Sequence, residues 1–203
     1  MNFFETIVAW VLVIISRFGY KGILLTMALE SAAIPIPSEV VLPFSGFLAS
    51  TGQLSFWFIV VIATIANLIG ALVIYYIGTV GGRPFLDNYG KYFLVDAKEA
   101  QRLYHWLGKY QKATIFFSRL LPGVRTFSAL VIGISDEVQV RTFILYTLLG
   151  SFLWNLALTY IGFLAGDHWN FLHPYFQKAD FVIGILLAIG IIYFVYKHLN
   201  RKK

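Results

Sequence analysis

Two apolar stretches of this chain are broken by proline and carry charge where a hydrocarbon environment excludes it. The first reads Glu30-Ser-Ala-Ala-Ile-Pro35-Ile-Pro37-Ser-Glu39 and runs on to Gly46. The second reads Ser118-Arg119-Leu-Leu-Pro122-Gly123-Val-Arg125-Thr126 and runs on to Gly133. An ionised side chain inside a hydrophobic segment costs roughly 2.5–3.5 kcal/mol on insertion scales, so it belongs in a protein-lined or watery cavity. Proline removes a backbone donor, which is tolerated at membrane depth only where protein or a cavity re-satisfies the ladder. Acid on one broken hairpin and base on the other point to a transport site.

Composition sets the solvent. A mean hydropathy of +0.74, with 59% hydrophobic and 13% charged residues, is far from the balance of a water-soluble domain. The 203 residues are expected to form an integral membrane protein of one transport domain, 1–203. There is no cysteine, and His105, His168, His173 and His198 lack metal-ligand spacing, so neither metal nor other cofactor is expected. The net charge of +6 comes from basic residues beside apolar spans. That placement suits the positive-inside rule and contact with anionic membrane lipids better than nucleic acid.

The expected fold is an all-α polytopic membrane protein. Ser55–Thr79 and Thr142–Gly166 carry no charge and are long enough to cross a bilayer. Phe181–Tyr196, within a final span of about 180–197, crosses a thinned one. Ile7–Ile15 is too short to span and reads as an interfacial or tilted helix. Met1-Asn-Phe-Phe-Glu5 lacks a basic region and no small-residue cleavage site follows, so a cleaved signal peptide is not expected. The polar linker 81–112 is expected to hold a central amphipathic helix, with Leu103, Trp106 and Leu107 at helical spacing. The basic linker and the tail Lys197-His-Leu-Asn-Arg201-Lys-Lys both belong in the cytoplasm, which places the C-terminus there. The stretch between Lys112 and Arg141 must then enter and leave from one face, as a re-entrant hairpin turned at Pro122 and Gly123, with Pro35 and Pro37 turning the other.

The chain also repeats. Pro35 and Pro122, Gly46 and Gly133, and Phe56 and Phe143 are each 87 positions apart. Each copy reads as a re-entrant hairpin followed by a transmembrane helix, about 20–80 and 113–166. One span separates the copies, so the repeat is expected to be inverted, a common plan of secondary transporters.

Arg119 and Arg125 flank the second turn and stay charged at any physiological pH. Forked guanidiniums suit bidentate contact with phosphate, with Ser118 and Thr126 beside them as further candidate substrate contacts. A structural pairing of either arginine with Glu30 or Glu39 is the alternative. Burial raises a carboxyl pKa and a nearby arginine lowers it, which makes Glu30 and Glu39 candidate proton-coupling groups or charge partners. Glycines such as Gly70, Gly78, Gly150 and Gly162 read as helix-packing positions, and the tryptophans and tyrosines as interface belts or packing. A homodimer through the glycine-rich faces is possible on this pattern but not required by it.

At these residues the chain resembles the DedA family of membrane proteins, also called the SNARE-associated or VTT-domain family. The likeness covers roughly Gly22 to Gly166. The acidic, proline-rich signature stands as Glu30, Pro35, Pro37, Glu39 and Gly46, with Ser38 in place of the usual glycine. A second signature, Gly-Asp followed by Tyr-x-x-Gly-Arg, keeps Gly70, Tyr76, Gly78 and Gly82 but has Ala71 for the acid and Thr79 for the base. The most specific signature stands as Phe116, Arg119, Pro122, Gly123, Arg125, Thr126 and Gly133. The resemblance implies a lipid transporter of the bacterial cytoplasmic membrane. Its expected substrate is undecaprenyl phosphate, returned from the outer to the cytoplasmic leaflet for cell-envelope synthesis. Alternatives are a phosphatidylethanolamine flippase or scramblase, and a proton-coupled small-cation antiporter. An enzyme is not expected, because neither hairpin holds a histidine and no Ser/His or Asp/His pairing is visible.

Overall fold

The computed structural model describes residues 3–34, 36–89, 110–121, 124–135 and 138–166, with backbone alone for 3–5, 82–89, 126 and 127. The chain divides into two units, Met1–Gly166 and Asp167–Lys203, of which the second lies outside the described residues. So do the expected amphipathic helix around 97–106, the final span, the turn residues Pro35, Pro122 and Gly123, and the side chain of Thr126.

Among the described residues all regular structure is helical. The helices are α1 (Phe3–Phe18), α2 (Tyr20–Ser31), α3 (Ser38–Ser50), α4 (Phe56–Tyr89), α5 (110–118), α6 (Val124–Ile134) and α7 (Val140–Ala165). The two apolar stretches do break, between α2 and α3 and between α5 and α6. At the first break, α2 closes with a C-terminal cap in which the Ala33 and Ile34 N–H groups donate to the carbonyls of Glu30 (3.3 Å) and Leu29 (3.1 Å). Ala33 takes the left-handed backbone this cap needs, φ 74°, in the place where glycine is usual. Pro37 then precedes α3 with φ −77° and ψ 110°, an extended geometry natural to proline.

Two expectations of extent change. The apolar Ile7–Ile15 stretch lies within the 16-residue α1, whose Val8, Val11 and Ile15 are buried at helical spacing while Trp10 and Val13 face outward. This helix packs on α2 and α3 as part of the bundle. The linker was expected from residue 81, but α4 continues to Tyr89 through Gly81, Gly82 and Pro84. Such residues cost about 1 kcal/mol per glycine and about 3 for proline, and the cooperativity of a 34-residue helix carries the backbone across them.

Phe56–Gly81 of α4 and Val140–Ala165 of α7 are each apolar and 26 residues long. At 1.5 Å per residue either reaches about 39 Å, more than the roughly 30 Å of a hydrocarbon core. Their faces are the reverse of those on a water-soluble helix. Ile65, Ile69, Val73 and Ile77 of α4, and Leu145, Leu149, Leu153 and Leu164 of α7, are exposed. Thr64 and Asn67, with Thr147, Ser151, Asn155 and Thr159, are buried. Apolar outside and polar inside is the arrangement of a bundle solvated by lipid.

Polar and small residues join the elements. The Asn67 amide donates to Asn155 Oδ1 (3.3 Å), and the Asn155 amide donates to Thr64 Oγ1 (3.1 Å), tying α4 to α7. Helix α3 lies against α7 so closely that a methyl at Gly46 would strike the Thr159 carbonyl, and one at Gly162 the Pro43 carbonyl. Helix α6 meets α4 in the same way, Gly133 at the Tyr75 carbonyl and Gly78 at that of Leu130. In lipid these small-residue contacts, rather than hydrophobic burial, drive helix association. One cluster of buried side chains (Ile15, Met27, Leu42 and Ile59 among them) joins α1 to α4. A second (Tyr75, Ile115, Ile132 and Phe143) joins α4 to α7.

Gly133→Leu and Gly162→Leu should each lower stability by at least the 1–3 kcal/mol typical of overpacking, read as a fall in unfolding midpoint in detergent. A double-mutant cycle of Asn67→Leu and Asn155→Leu should return a coupling of about 0.6 kcal/mol, the mean for polar contacts between membrane helices.

Candidate functional site

The first helix break brings an acid to a buried depth, and the second brings two bases. Glu30 sits in the last turn of α2 and is 7% exposed; Arg125 opens α6 and is 5% exposed. The two form an ion pair between Arg125 Nη2 and Glu30 Oε1. The same Arg125 nitrogen donates to Ser38 Oγ at 2.9 Å. Ser38, fully buried at the start of α3, in turn donates to Glu39 Oε2 (3.1 Å) and accepts from Trp154 Nε1 (3.4 Å). Ser38 is therefore the junction of α3, α6 and α7, and its hydroxyl is engaged on every side.

Arg119 differs. It lies just beyond α5, 2% exposed, in a hydrogen-bonded turn closed by its N–H on the Phe116 carbonyl (3.2 Å). Its guanidinium carbon stands 5.4 Å from the centre of the Phe143 ring. Gly150 leaves room for its stem, since a Cβ there would fall 2.8 Å from Arg119 Cβ. Among the described residues Arg119 Nε and Nη2 meet no hydrogen-bond partner. The carboxylate oxygen Glu30 Oε2 is likewise unpartnered among them.

The charges within this group do not cancel. Among the described residues two buried guanidiniums face one buried carboxylate, while Glu39 is only half-buried and bonds to Ser38 rather than to an arginine. A lone buried cation is costly, and the aromatic face of Phe143 offsets only a small part, on the order of 2 kcal/mol when desolvated.

Of the expected site residues, Glu30 and Arg125 come together, and Glu39 joins them through Ser38. Ser118 turns its hydroxyl onto its own helix, donating to the Ile115 carbonyl at 2.8 Å. Ser38 and Trp154 were not singled out by sequence reasoning for any chemistry. The one signal for Ser38 is spacing, since it lies 87 positions before Arg125, the interval of the repeat. Among the described residues no three His, Cys, Asp or Glu side chains gather as metal ligands would.

Comparison with known proteins gives a family match to the VTT domain over residues 36–164. The chain is 30% identical to undecaprenyl phosphate transporter A of Staphylococcus aureus, over 93% of this chain and 95% of that protein. It is 31% identical to undecaprenyl phosphate transporter A of Bacillus subtilis, over 95% of each chain. An alkaline phosphatase-like protein of Lactococcus lactis is 29% identical over 93% of this chain and 92% of its own. No solved structure matches the chain.

Removing one partner of a buried ion pair strands the other. Arg125→Met should cost about 3–5 kcal/mol of stability. Adding Glu30→Gln should recover most of that loss, as measured by unfolding in detergent with each variant compared at one pH.

Proposed function

Since the chain belongs to the VTT-domain (DedA) family of membrane proteins, we propose that it carries undecaprenyl phosphate from the outer to the cytoplasmic leaflet of a bacterial cytoplasmic membrane. The observation that carries this reading is Arg119, a buried guanidinium with two nitrogens unpartnered among the described residues. A phosphate monoester supplies the missing negative charge and the acceptor oxygens that a forked donor fits. The polyprenyl tail stays in lipid throughout, and only the headgroup needs a polar path. Relatives similar along nearly their whole length are named as transporters of this lipid.

Arg125 and Glu30 act as the switch in this scheme. With Glu30 ionised, Arg125 is held by Glu30 and Ser38. A proton on Glu30 releases Arg125 to share the phosphate, which couples substrate binding to protonation. Glu39, bonded to Ser38, is the second acid through which a proton can enter. Ser118 is a weaker candidate contact because its hydroxyl is already spent. Thr126 stays a proposed contact.

Two re-entrant hairpins of opposite orientation, α2–α3 and α5–α6, would rock against the long helices to expose the site to either face. The pattern of contacts supports an inverted repeat. Helix α3 of the first copy packs on α7 of the second, and α6 of the second packs on α4 of the first, each through a pair of glycines. Two bonded pairs, Ser38 with Arg125 and Asn67 with Asn155, join residues 87 and 88 positions apart, so near-equivalent positions of the two copies touch each other. Contacts of that kind arise along a two-fold axis. On this plan the C-terminus lies in the cytoplasm.

A surplus of positive charge in the group disfavours a small-cation antiporter. The phosphatase-like name of one relative makes phosphate release worth measuring. A buried serine hydroxyl already bonded to an arginine, a tryptophan and a carboxylate is poorly placed as a nucleophile.

Liposomes carrying the purified protein should move undecaprenyl phosphate between leaflets and leave phosphatidylethanolamine in place. Arg119→Ala should slow that movement at limiting substrate by at least about tenfold, the loss expected for a hydrogen bond to a charged group. Equal movement of both lipids would make it a flippase or scramblase of general range. Release of free phosphate would make it an enzyme.

A further inference from the structure

Several buried hydroxyls in this bundle share a habit. Thr26, Ser45 and Thr64 each donate to the carbonyl four residues earlier in their own helix, at 2.7–2.8 Å. Thr147 breaks it. It is fully buried in α7, and its hydroxyl has no partner among the described residues. Burying a hydroxyl without a partner is unfavourable, and such an exception calls for a reason.

The surroundings of Thr147 supply one. Phe143, Thr147 and Gly150 follow one another at i, i+4 and i+7, so they lie in a row on one face of α7. Arg119 touches both ends of that row, its stem at Gly150 and its guanidinium near the Phe143 ring. Thr147 lies between those two ends in the row. Helical side chains lean toward the N-terminal end of their helix, which tips the Thr147 hydroxyl toward the guanidinium. Yet the two do not bond to each other: Arg119 Nε, Arg119 Nη2 and Thr147 Oγ1 are all unpartnered among the described residues. Arg119 has only donors, and a threonine hydroxyl can donate as well as accept, so one acceptor reaching both would satisfy them together. Thr159 is also unpartnered, but it lies 12 positions further along α7, beside Gly46, about 18 Å from this place.

We infer that the Thr147 hydroxyl is a donor of the same anion site as Arg119, so that a phosphate oxygen bridges α5–α6 to α7 through these two side chains. This rests on the phosphate reading above and adds a residue from outside both helix breaks to it. The bridge also gives the substrate a structural effect. A headgroup held by Arg119 at one helix break and by Thr147 on a long helix ties the hairpin to the scaffold it must rock against.

The test compares Thr147→Val, which keeps the shape and removes the hydroxyl, with Thr147→Ser, which keeps the hydroxyl. Three readouts are taken on purified protein: the unfolding midpoint without ligand, its shift with inorganic phosphate or with a short-chain prenyl phosphate, and the KM and maximal rate of undecaprenyl phosphate movement in liposomes. Thr147→Val should leave the ligand-free midpoint unchanged or higher, since it removes an unsatisfied buried hydroxyl. It should raise KM about tenfold and shrink the phosphate-induced shift, while Thr147→Ser stays within about threefold of wild type. A shift with inorganic phosphate assigns recognition to the bare headgroup, and a shift with the prenyl phosphate alone assigns it to the lipid. A Thr147→Val protein with wild-type KM and shift would overturn the inference and leave the transport reading standing. A Thr147→Val protein that simply unfolds at lower temperature would also overturn it, because the hydroxyl would then be structural. Wild-type protein that neither moves nor binds any phosphate lipid would remove the transport reading itself.

Discussion

A guanidinium taken out of water must be answered by negative charge, and among the described residues this bundle buries two of them against one carboxylate. Much else in the described structure can be understood from that imbalance. Proline-broken helix ends put Glu30, Arg119 and Arg125 at a depth where continuous helices would be uniformly apolar. Small residues let the flanking helices close around the group, and Phe143 shields one flank of Arg119. The ion pair of Arg125 and Glu30 is complete enough to persist, yet one carboxylate oxygen lacks a partner among the described residues. In the proposed cycle a pair left open in this way would hold the fold together and still exchange partners.

The proposed lipid transport would make use of the contrast between the two faces of the long helices. Their outward side chains match hydrocarbon and need no partner, so in the proposed cycle a polyprenyl tail would pass them without specific contact. Their inward side chains include, among buried apolar ones, hydroxyls and amides that lipid would reject and glycines that let backbone approach. Recognition in the proposed cycle therefore falls on the phosphate alone. Charge and fork geometry separate it from a zwitterionic headgroup, whose ammonium would be repelled by the same arginines.

Much of this was legible in the sequence because it rests on local rules. Charged, proline-broken apolar runs mark the helix ends, uncharged runs mark α4 and α7, and glycine positions such as Gly162 mark close approach. What was not legible depends on contacts between distant parts of the chain. Ser38 stood only as a departure from a family signature, and its role as the meeting point of Arg125, Trp154 and Glu39 depends on residues up to 116 positions away. Trp154 reads as packing on any local rule, since indole nitrogens usually find whichever acceptor the fold brings near. The continuation of α4 past Gly81, Gly82 and Pro84 failed the local rule for helix breakers, because propensity is a small term beside the cooperativity of a long helix. Which carboxylate pairs with which arginine was also open, since spacing allows either Glu30 or Glu39.

The most direct measurement of the central claim is magnetic-resonance distance recoupling between the phosphorus of a bound prenyl phosphate and nitrogen-labelled arginine in protein held in lipid. An unneutralised Arg119 that receives the phosphate requires its guanidinium nitrogens within hydrogen-bond range of the phosphate oxygens, about 2.8 Å. The Arg119 signal should then be dephased strongly by phosphorus, and the effect should vanish in Arg119→Ala. Dephasing confined to Arg125, or absent from both arginines while the lipid is bound, would contradict it.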